Sequence, residues 1–434
     1  MKPRNILLAA CMTLVLCSTA TAQNNAKGYY KDIFMDSGIM LTSRVDLPAA
    51  RYLGLEMEAF ISAVNSDIDS ITQIDTIMQR SVMVGNALDE NGVLLYPDGE
   101  PRFRMIYMNG GRATKHGSSL GEEGRDHIRQ FIANGGSYVG TCAGAFIASS
   151  HTATEDAARK EYLGIWPGIT HSTHLENSYT GHFIEKNSPL LKYYDFGGDG
   201  YIANVRHNGG CYGMIDGTAP KGTEILCRYD GDTLNITYKG KPFSIHKQVS
   251  VWAYKADETS GRVISCGSHP ESITSGERLE MMCAMVRYSM DGNGNPTVKG
   301  EIAPGESIRM DRTTRDNEPA RTRIGDKQYH HFIVNVPKGK EQVTITLKPV
   351  QGFTNFDLYL FANPGEFAFM DNALYKNISL GVDKEIVIDA PKSGKLYLSV
   401  FCDTTVDTIE TKYGTQYTGR VDVLNGVPYI IEVK

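Results

Sequence analysis

Apolar and polar positions follow two different rhythms along the chain, and they change near residue 290. Before that point, short β-prone runs alternate with helical patterns. Residues 31–44 read as a first strand and its loop, and 48 to about 64 as a helix. Residues 71–83 have no clean period, and 89–101 are rich in turn formers. The run 104–108 reads as a strand ending at Asn109-Gly110-Gly111. A helix is predicted over 122–134, with Ile128, Phe131 and Ile132 apolar, and Gly135-Gly136 stops it. Ser137-Tyr138-Val139 is the next strand, and the small, apolar stretch 143–148 reads as a buried helix. An apolar strand at 261–268 and a helix over 276–290, with Leu279, Met282, Cys283 and Val286 on one face, close the region. Strands alternating with helices predict an α/β fold with a parallel sheet, its reactive residues at the C-terminal ends of strands.

Beyond the turn-rich Asp291-Gly292-Asn293-Gly294-Asn295-Pro296, only period-two runs remain, at 329–336, 342–348, 355–361, 378–388 and 395–401. That spacing predicts a β-sandwich. The expected organisation is therefore an α/β domain over 28–290, a linker over 291–305 and an all-β sandwich over 306–434. At the other end, Lys2 and Arg4 precede the apolar run 6–16, and Ala20-Thr21-Ala22 precedes Gln23. This is the pattern of a signal peptide over 1–22, so export to the periplasm, cell surface or medium is expected. Lipid attachment at Cys11 competes, but too few apolar residues precede it. No later run approaches the length of a membrane span.

The formal charge of −6, or −8 once Lys2 and Arg4 are removed (−6 − 2), argues against nucleic acid as a partner. Cys142, Cys211, Cys227, Cys266, Cys283 and Cys402 would remain after processing, with no C-x-x-C spacing to suggest a disulfide scaffold or a zinc site.

Cys142 stands between a strand and a helix in Gly140-Thr141-Cys142-Ala143-Gly144, the cysteine counterpart of the nucleophile elbow. Small neighbours permit a sharp turn that presents the sulfur, although a buried cysteine among small residues is also a common packing element. A base is available in His269, which follows an apolar strand and has Glu271 two residues on to orient it. Between them, His171-Ser172-Thr173-His174-Leu175-Glu176 has the composition of a metal site, but no helical pattern gathers its side chains, so no metal is expected. Arg206, His207 and Asn208, ahead of Gly209-Gly210, read as a substrate-side loop or as a plain turn, with Arg206 a candidate for a substrate carboxylate.

Gly140-Thr141-Cys142-Ala143-Gly144 together with Ser268-His269-Pro270-Glu271 resembles class I glutamine amidotransferase-like proteins. Within that superfamily, the run from Gly135 to Ala145 is most similar to the N-terminal domain of some biotin-protein ligases. Tyr107-Met108-Asn109-Gly110-Gly111-Arg112, Leu163-Gly164-Ile165-Trp166-Pro167-Gly168 and His207-Asn208-Gly209-Gly210-Cys211 support it. The resemblance implies a flavodoxin-like parallel sheet sandwiched by helices, with Cys142 as nucleophile, His269 as general base and acid, and Glu271 as its orienting group. It also implies an oxyanion hole from Gly110, Gly111 and Ala143. No ligase or P-loop module follows, so a coupled synthetase would need a separate partner chain. Phe356-Asp357-Leu358-Tyr359-Leu360-Phe361 and Gly394-Lys395-Leu396-Tyr397-Leu398-Ser399-Val400 resemble the pre-peptidase-type C-terminal domains of secreted bacterial hydrolases, implying an accessory role with a peptide or glycan ligand.

The expectation is thus an exported, cofactor-free cysteine amide hydrolase or amidotransferase-like protein acting on a γ-glutamyl, glutamine-like or short peptide amide. Two alternatives stay open: a binding module that keeps the fold without catalysis, and a thiol redox sensor.

Overall fold

The computed structural model describes residues 28–36, 46–60, 82–85, 90–215, 217, 219–294, 296–411 and 414–434. The expected signal peptide and most of the aperiodic stretch at 71–83 lie outside these residues.

The α/β region is mixed, with few helices and a parallel-rich sheet. Met57–Phe60, Lys31–Asp36, Phe103–Met108, Ser137–Thr141 and Val263–Cys266 run parallel in that spatial order. Val249–Tyr254, Thr223–Asp230, Ser178–Ile184 and Tyr201–His207 then extend the sheet antiparallel. Strand Phe103–Met108 is buried on both faces. Phe103, Ile106 and Met108 join a core with Leu120, Ile128 and Phe131, whereas Met105 and Tyr107 join one with Leu279, Met282 and Val286. The first three of those helical residues belong to Ala113–Ala133 and the last three to Glu277–Met290, so a helix covers each face. This two-sided burial is what a parallel sheet demands.

Local chemistry shortens one expected helix. The pattern over 48–64 gives a helix only over Pro48–Leu53, because Gly54 adopts the left-handed conformation at φ 67° and caps it. The chain then extends as strand Met57–Phe60. Conversely, the helix expected over 122–134 begins earlier, spanning Ala113–Ala133 with a break at Gly121.

In the C-terminal region, Val298–Glu301, Tyr329–Val336, Gly394–Cys402, Leu358–Pro364 and Tyr375–Asn377 form one sheet. Ser307–Met310, Tyr429–Val433, Gln342–Pro349 and Lys384–Asp389 form another. Phe332, Val334 and Leu398 of the first and Val343, Ile345 and Leu347 of the second share one hydrophobic core. The expected linker is partly structured, since Val298–Glu301 pairs in parallel with Tyr329–Val336. A hairpin of this region, Asp407–Thr411 with Gly414–Thr418, also reaches back to the edge of the α/β sheet through the Phe60–Gly414 pairing.

Buried charges line the seam between the two regions. Arg102, about 1% exposed, makes a two-pronged ion pair with Asp326 at 2.9 and 2.8 Å and lies 3.6 Å above the ring of Tyr30. Asp98 accepts from Lys299 at 2.5 Å and Gln328 at 2.7 Å, with His330 at 3.5 Å. Burial opposes the Asp98 charge, but Lys299 and His330 outweigh it and hold the carboxyl well below its ordinary range. Tyr30, Lys31 and Tyr417 all bond Glu58 at the same seam.

Candidate active site

The elbow is built from bare backbone. Cys142 sits at φ 49°, ψ −104°, between strand Ser137–Thr141 and helix Ala143–Ala148, a conformation that non-glycine residues adopt under strain. Its N–H donates to the Cys266 carbonyl at 2.9 Å and its carbonyl accepts from Phe146 N–H at 3.0 Å. A Cβ on Gly144 would lie 2.1 Å from the Met108 carbonyl oxygen, and one on Gly140 would lie 2.5 Å from the Gly144 backbone. Both positions therefore require glycine, and their close approach holds the turn that presents the sulfur. Tyr138 OH donates to the Gly144 carbonyl at 2.7 Å, and Gly144 N–H donates to Asn109 O at 3.2 Å.

His269 arrives on the loop after the neighbouring strand, Val263–Cys266, whose Cys266 is in register with Thr141. Its backbone N–H donates to the Arg206 carbonyl at 2.9 Å. Nδ1 lies 2.8 Å from Glu271 Oε1, which makes Nδ1–H the donor and leaves Nε2 for the thiol. Burial opposes a charged imidazole here. Glu271, by charge and hydrogen bond, and the neighbouring Cys142 overcome that, and His269 is pushed up to about 10. Glu271 thus bonds His269, and His269 and Cys142, 127 residues apart in sequence, both flank Gly110.

Gly110 is wedged between the two reactive groups. A Cβ there would stand 2.4 Å from His269 Cε1 and 3.4 Å from Cys142 Cβ. Gly111 is exposed with φ 143°, and Ala143 opens the helix after the thiol. Of the three residues expected to form the oxyanion hole, Gly110 thus lies against Cys142 in space and Ala143 follows it in sequence.

The substrate-side loop divides. Arg206 and Asn208 are exposed, and the Asn208 carbonyl lies 3.9 Å from Cys142 Sγ. His207, expected beside them, turns wholly inward against Tyr229. Its Nδ1 bonds the Gly209 carbonyl at 3.2 Å, and burial pushes the imidazole down to about 4 against that hydrogen bond. His207 therefore shapes the loop from below, because strand alternation places it on the face opposite Arg206.

A buried chain that sequence reasoning missed supports the His269 loop. Ser268 Oγ lies 3.0 Å from His182 Nε2, and His182 Nδ1 lies 2.8 Å from Ser250 Oγ. Burial lowers His182 to about 3, so it serves as a neutral strut. A histidine inside strand Ser178–Ile184 carries no sequence signal for this. His171 and His174, weighed as metal ligands, instead stack on Tyr212, Tyr238 and Phe243. A small cavity of about 40 Å³ lies away from Cys142, at the seam, with Asp98, Lys299, Gln328 and His331 in its wall; it has room for a few waters.

Residues 90–290, which include Cys142, His269 and Glu271, match the family model described as biotin-protein ligase, N terminal. The resemblance to biotin-protein ligase N-terminal domains drawn from the Cys142 and His269 motifs is thus met by a match over residues 90–290. Among solved structures, a glutamine amidotransferase is 14% identical, with 58% of this chain and 97% of that chain covered and a TM-score of 0.31. A putative GMP synthase component from Thermoplasma acidophilum is 12% identical, with 61% and 96% covered and a TM-score of 0.35. The pre-peptidase C-terminal domain of a collagenase from Bacillus anthracis is 14% identical, with 32% and 100% covered and a TM-score of 0.18. No curated protein matches the chain.

Proposed function

We propose that the protein is an exported cysteine amide hydrolase in which Cys142, His269 and Glu271 form the catalytic triad. The observation that carries this reading is the position of His269, hydrogen-bonded to Glu271 and set beside Cys142 across Gly110. An imidazolium beside a thiol favours the thiolate, which is the nucleophilic form. The Cys142 sulfur adds to the amide carbonyl carbon, and the oxyanion is received by the backbone at Gly110, Gly111 and Ala143. His269 gives its proton to the departing amine as the C–N bond breaks, leaving a thioester on Cys142. A water then loses a proton to His269, attacks the thioester and releases the carboxylic acid and the free thiol.

The substrate class is a γ-glutamyl, glutamine-like or short peptide amide, with exposed Arg206 set to receive a carboxylate. Export follows from the N-terminal pattern of residues 1–22 and favours hydrolysis over ATP-coupled ammonia transfer. The test is intact-protein mass spectrometry after mixing with γ-glutamyl and dipeptide amides. The reading expects an acyl adduct on Cys142 that hydroxylamine removes, and no turnover by Cys142→Ser. Turnover that survives in Cys142→Ser would sink it.

A further inference from the structure

The hairpin Ile236–Tyr238 with Lys241–Phe243 is a two-stranded sheet of its own, seated on histidine and tyrosine rings. The His171 ring lies nearly parallel to Tyr212, at 5.2 Å and 18°, and to Phe243, at 5.4 Å and 21°, in a cluster where those two rings are 6.5 Å apart. His174 lies flat on Tyr238 at 4.0 Å and 16°, and meets His171 edge-on at 5.6 Å. Its backbone is in the left-handed region at φ 54°, and its Nε2 is buried with no hydrogen-bond partner among the described residues.

The segment that carries these histidines is also tied to the loop over the thiol. Thr173 N–H donates to Gly210 O at 3.0 Å, Thr173 Oγ1 donates to Gly209 O at 2.9 Å, and Gly209 N–H donates to Leu175 O at 2.5 Å. The next residue back, Asn208, places its carbonyl 3.9 Å from Cys142 Sγ. Hairpin and thiol therefore share one anchor, the segment 172–175.

We propose that the hairpin is a cover latched by His171 and His174, and that its release in acid loosens the loop over Cys142. The second half rests on the reading of Cys142 as a nucleophile; the first does not. The latch works with neutral rings. A proton on His174 Nε2 would be buried without an acceptor, and a cation there would face His171 and the Lys239 ammonium. Burial first, then His171 and Lys239, hold His174 below the ordinary imidazole value of 6.5. Attraction of an imidazolium to the Tyr238 face works in the other direction and does not reverse this. The remaining charged groups nearby do not compensate. Lys241 on the hairpin adds positive charge, Asp230 at its base is engaged by His246 and Tyr201, and Glu176 is exposed on the His174 segment. Because the released histidine binds its proton more tightly, closure is fully favoured above 6.5 and weakens as pH falls below it.

Hydrogen exchange of the full-length protein, expressed as protection factors for amides 234–245 at about pH 7 and about pH 4.5, tests the latch. Wild type should lose roughly tenfold or more of its protection in acid. His171→Phe keeps the stack and leaves the titration of His174 in place, so it should still lose protection in acid. His174→Asn keeps a residue tolerant of the left-handed backbone but removes ring and charge, and should be open at both pH values. Equal protection of the wild-type hairpin at both pH values overturns the latch, as does an acid loss in His174→Asn equal to that of wild type. Alkylation of Cys142 at about pH 7 should change several-fold in His174→Asn. An open hairpin beside an unchanged alkylation rate overturns the coupling. The exchange result does not depend on Cys142 chemistry, so the two readings fail separately.

Discussion

The thiol site and the seam between the α/β region and the sandwich solve opposite problems. At the thiol, backbone must approach backbone, so the site is made of residues with little or no side chain: Gly110, Gly140, Gly144 and the strained Cys142. At the seam, two apolar regions meet over buried charge, and stability depends on complete pairing of Arg102, Asp326, Asp98 and Lys299. One region is sensitive to a single added methyl group, the other to a single lost partner. The comparison also changes the role of the sandwich. It shares a core and buried ion pairs with the α/β region, so it braces the fold that holds Cys142.

The largest effect should come from breaking the seam. Arg102→Met leaves Asp326 buried and uncompensated, and should cost about 3–5 kcal/mol in urea unfolding. If Arg102→Met with Asp326→Leu recovers most of the loss, the penalty belongs to the orphaned charge rather than to lost packing. A smaller loss, about 1–3 kcal/mol, is expected for Gly144→Ala, because the new Cβ must displace the Met108 carbonyl. Its alkylation at Cys142 should fall further than its stability, since the turn itself is distorted; wild-type reactivity in this variant would contradict the close approach.

Acid should weaken the seam. Asp98 has a depressed carboxyl pKa, so its contribution is present above the ordinary value of 3.8 and is lost only as pH falls through the lower folded value. His330, lowered to about 4 chiefly by burial, contributes fully above 6.5 and loses that contribution as pH falls toward 4. Melting temperature should therefore decline from about pH 6.5 downward, and His330→Gln should flatten the upper part of that decline. The smallest effect is expected for Glu271→Gln. It keeps a hydrogen-bond acceptor for His269 but removes the charge, so Cys142 alkylation near neutral pH should slow by roughly three- to tenfold with stability almost unchanged.

The same contrast explains what could be read from the sequence. The thiol site is encoded locally. Gly140-Thr141-Cys142-Ala143-Gly144 states its turn within five residues, Glu271 lies two residues from His269, and both groups follow apolar strands whose pairing could be anticipated. The seam has no local signature, because Asp98 and Lys299 are 201 residues apart and Arg102 and Asp326 are 224 apart. For the same reason, the expected linker concealed strand Val298–Glu301, and the hairpin at 407–418 could not be placed beside Met57–Phe60. The helix expected over 48–64 failed at Gly54, where the left-handed backbone outweighed the apolar pattern. His207 was expected to face substrate because it stands beside Arg206 and Asn208, but neighbours on a strand point to opposite faces.

The most direct measurement is the pH profile of iodoacetamide alkylation at Cys142, followed by peptide mass spectrometry, in the wild-type protein and in His269→Ala. With His269 raised to about 10, the imidazolium stands beside the thiol across the neutral range and its influence is lost as pH rises through that value. The expected result is a rate near pH 7 that falls by roughly ten- to a hundredfold in His269→Ala. The same rate in both proteins across the pH range would contradict it.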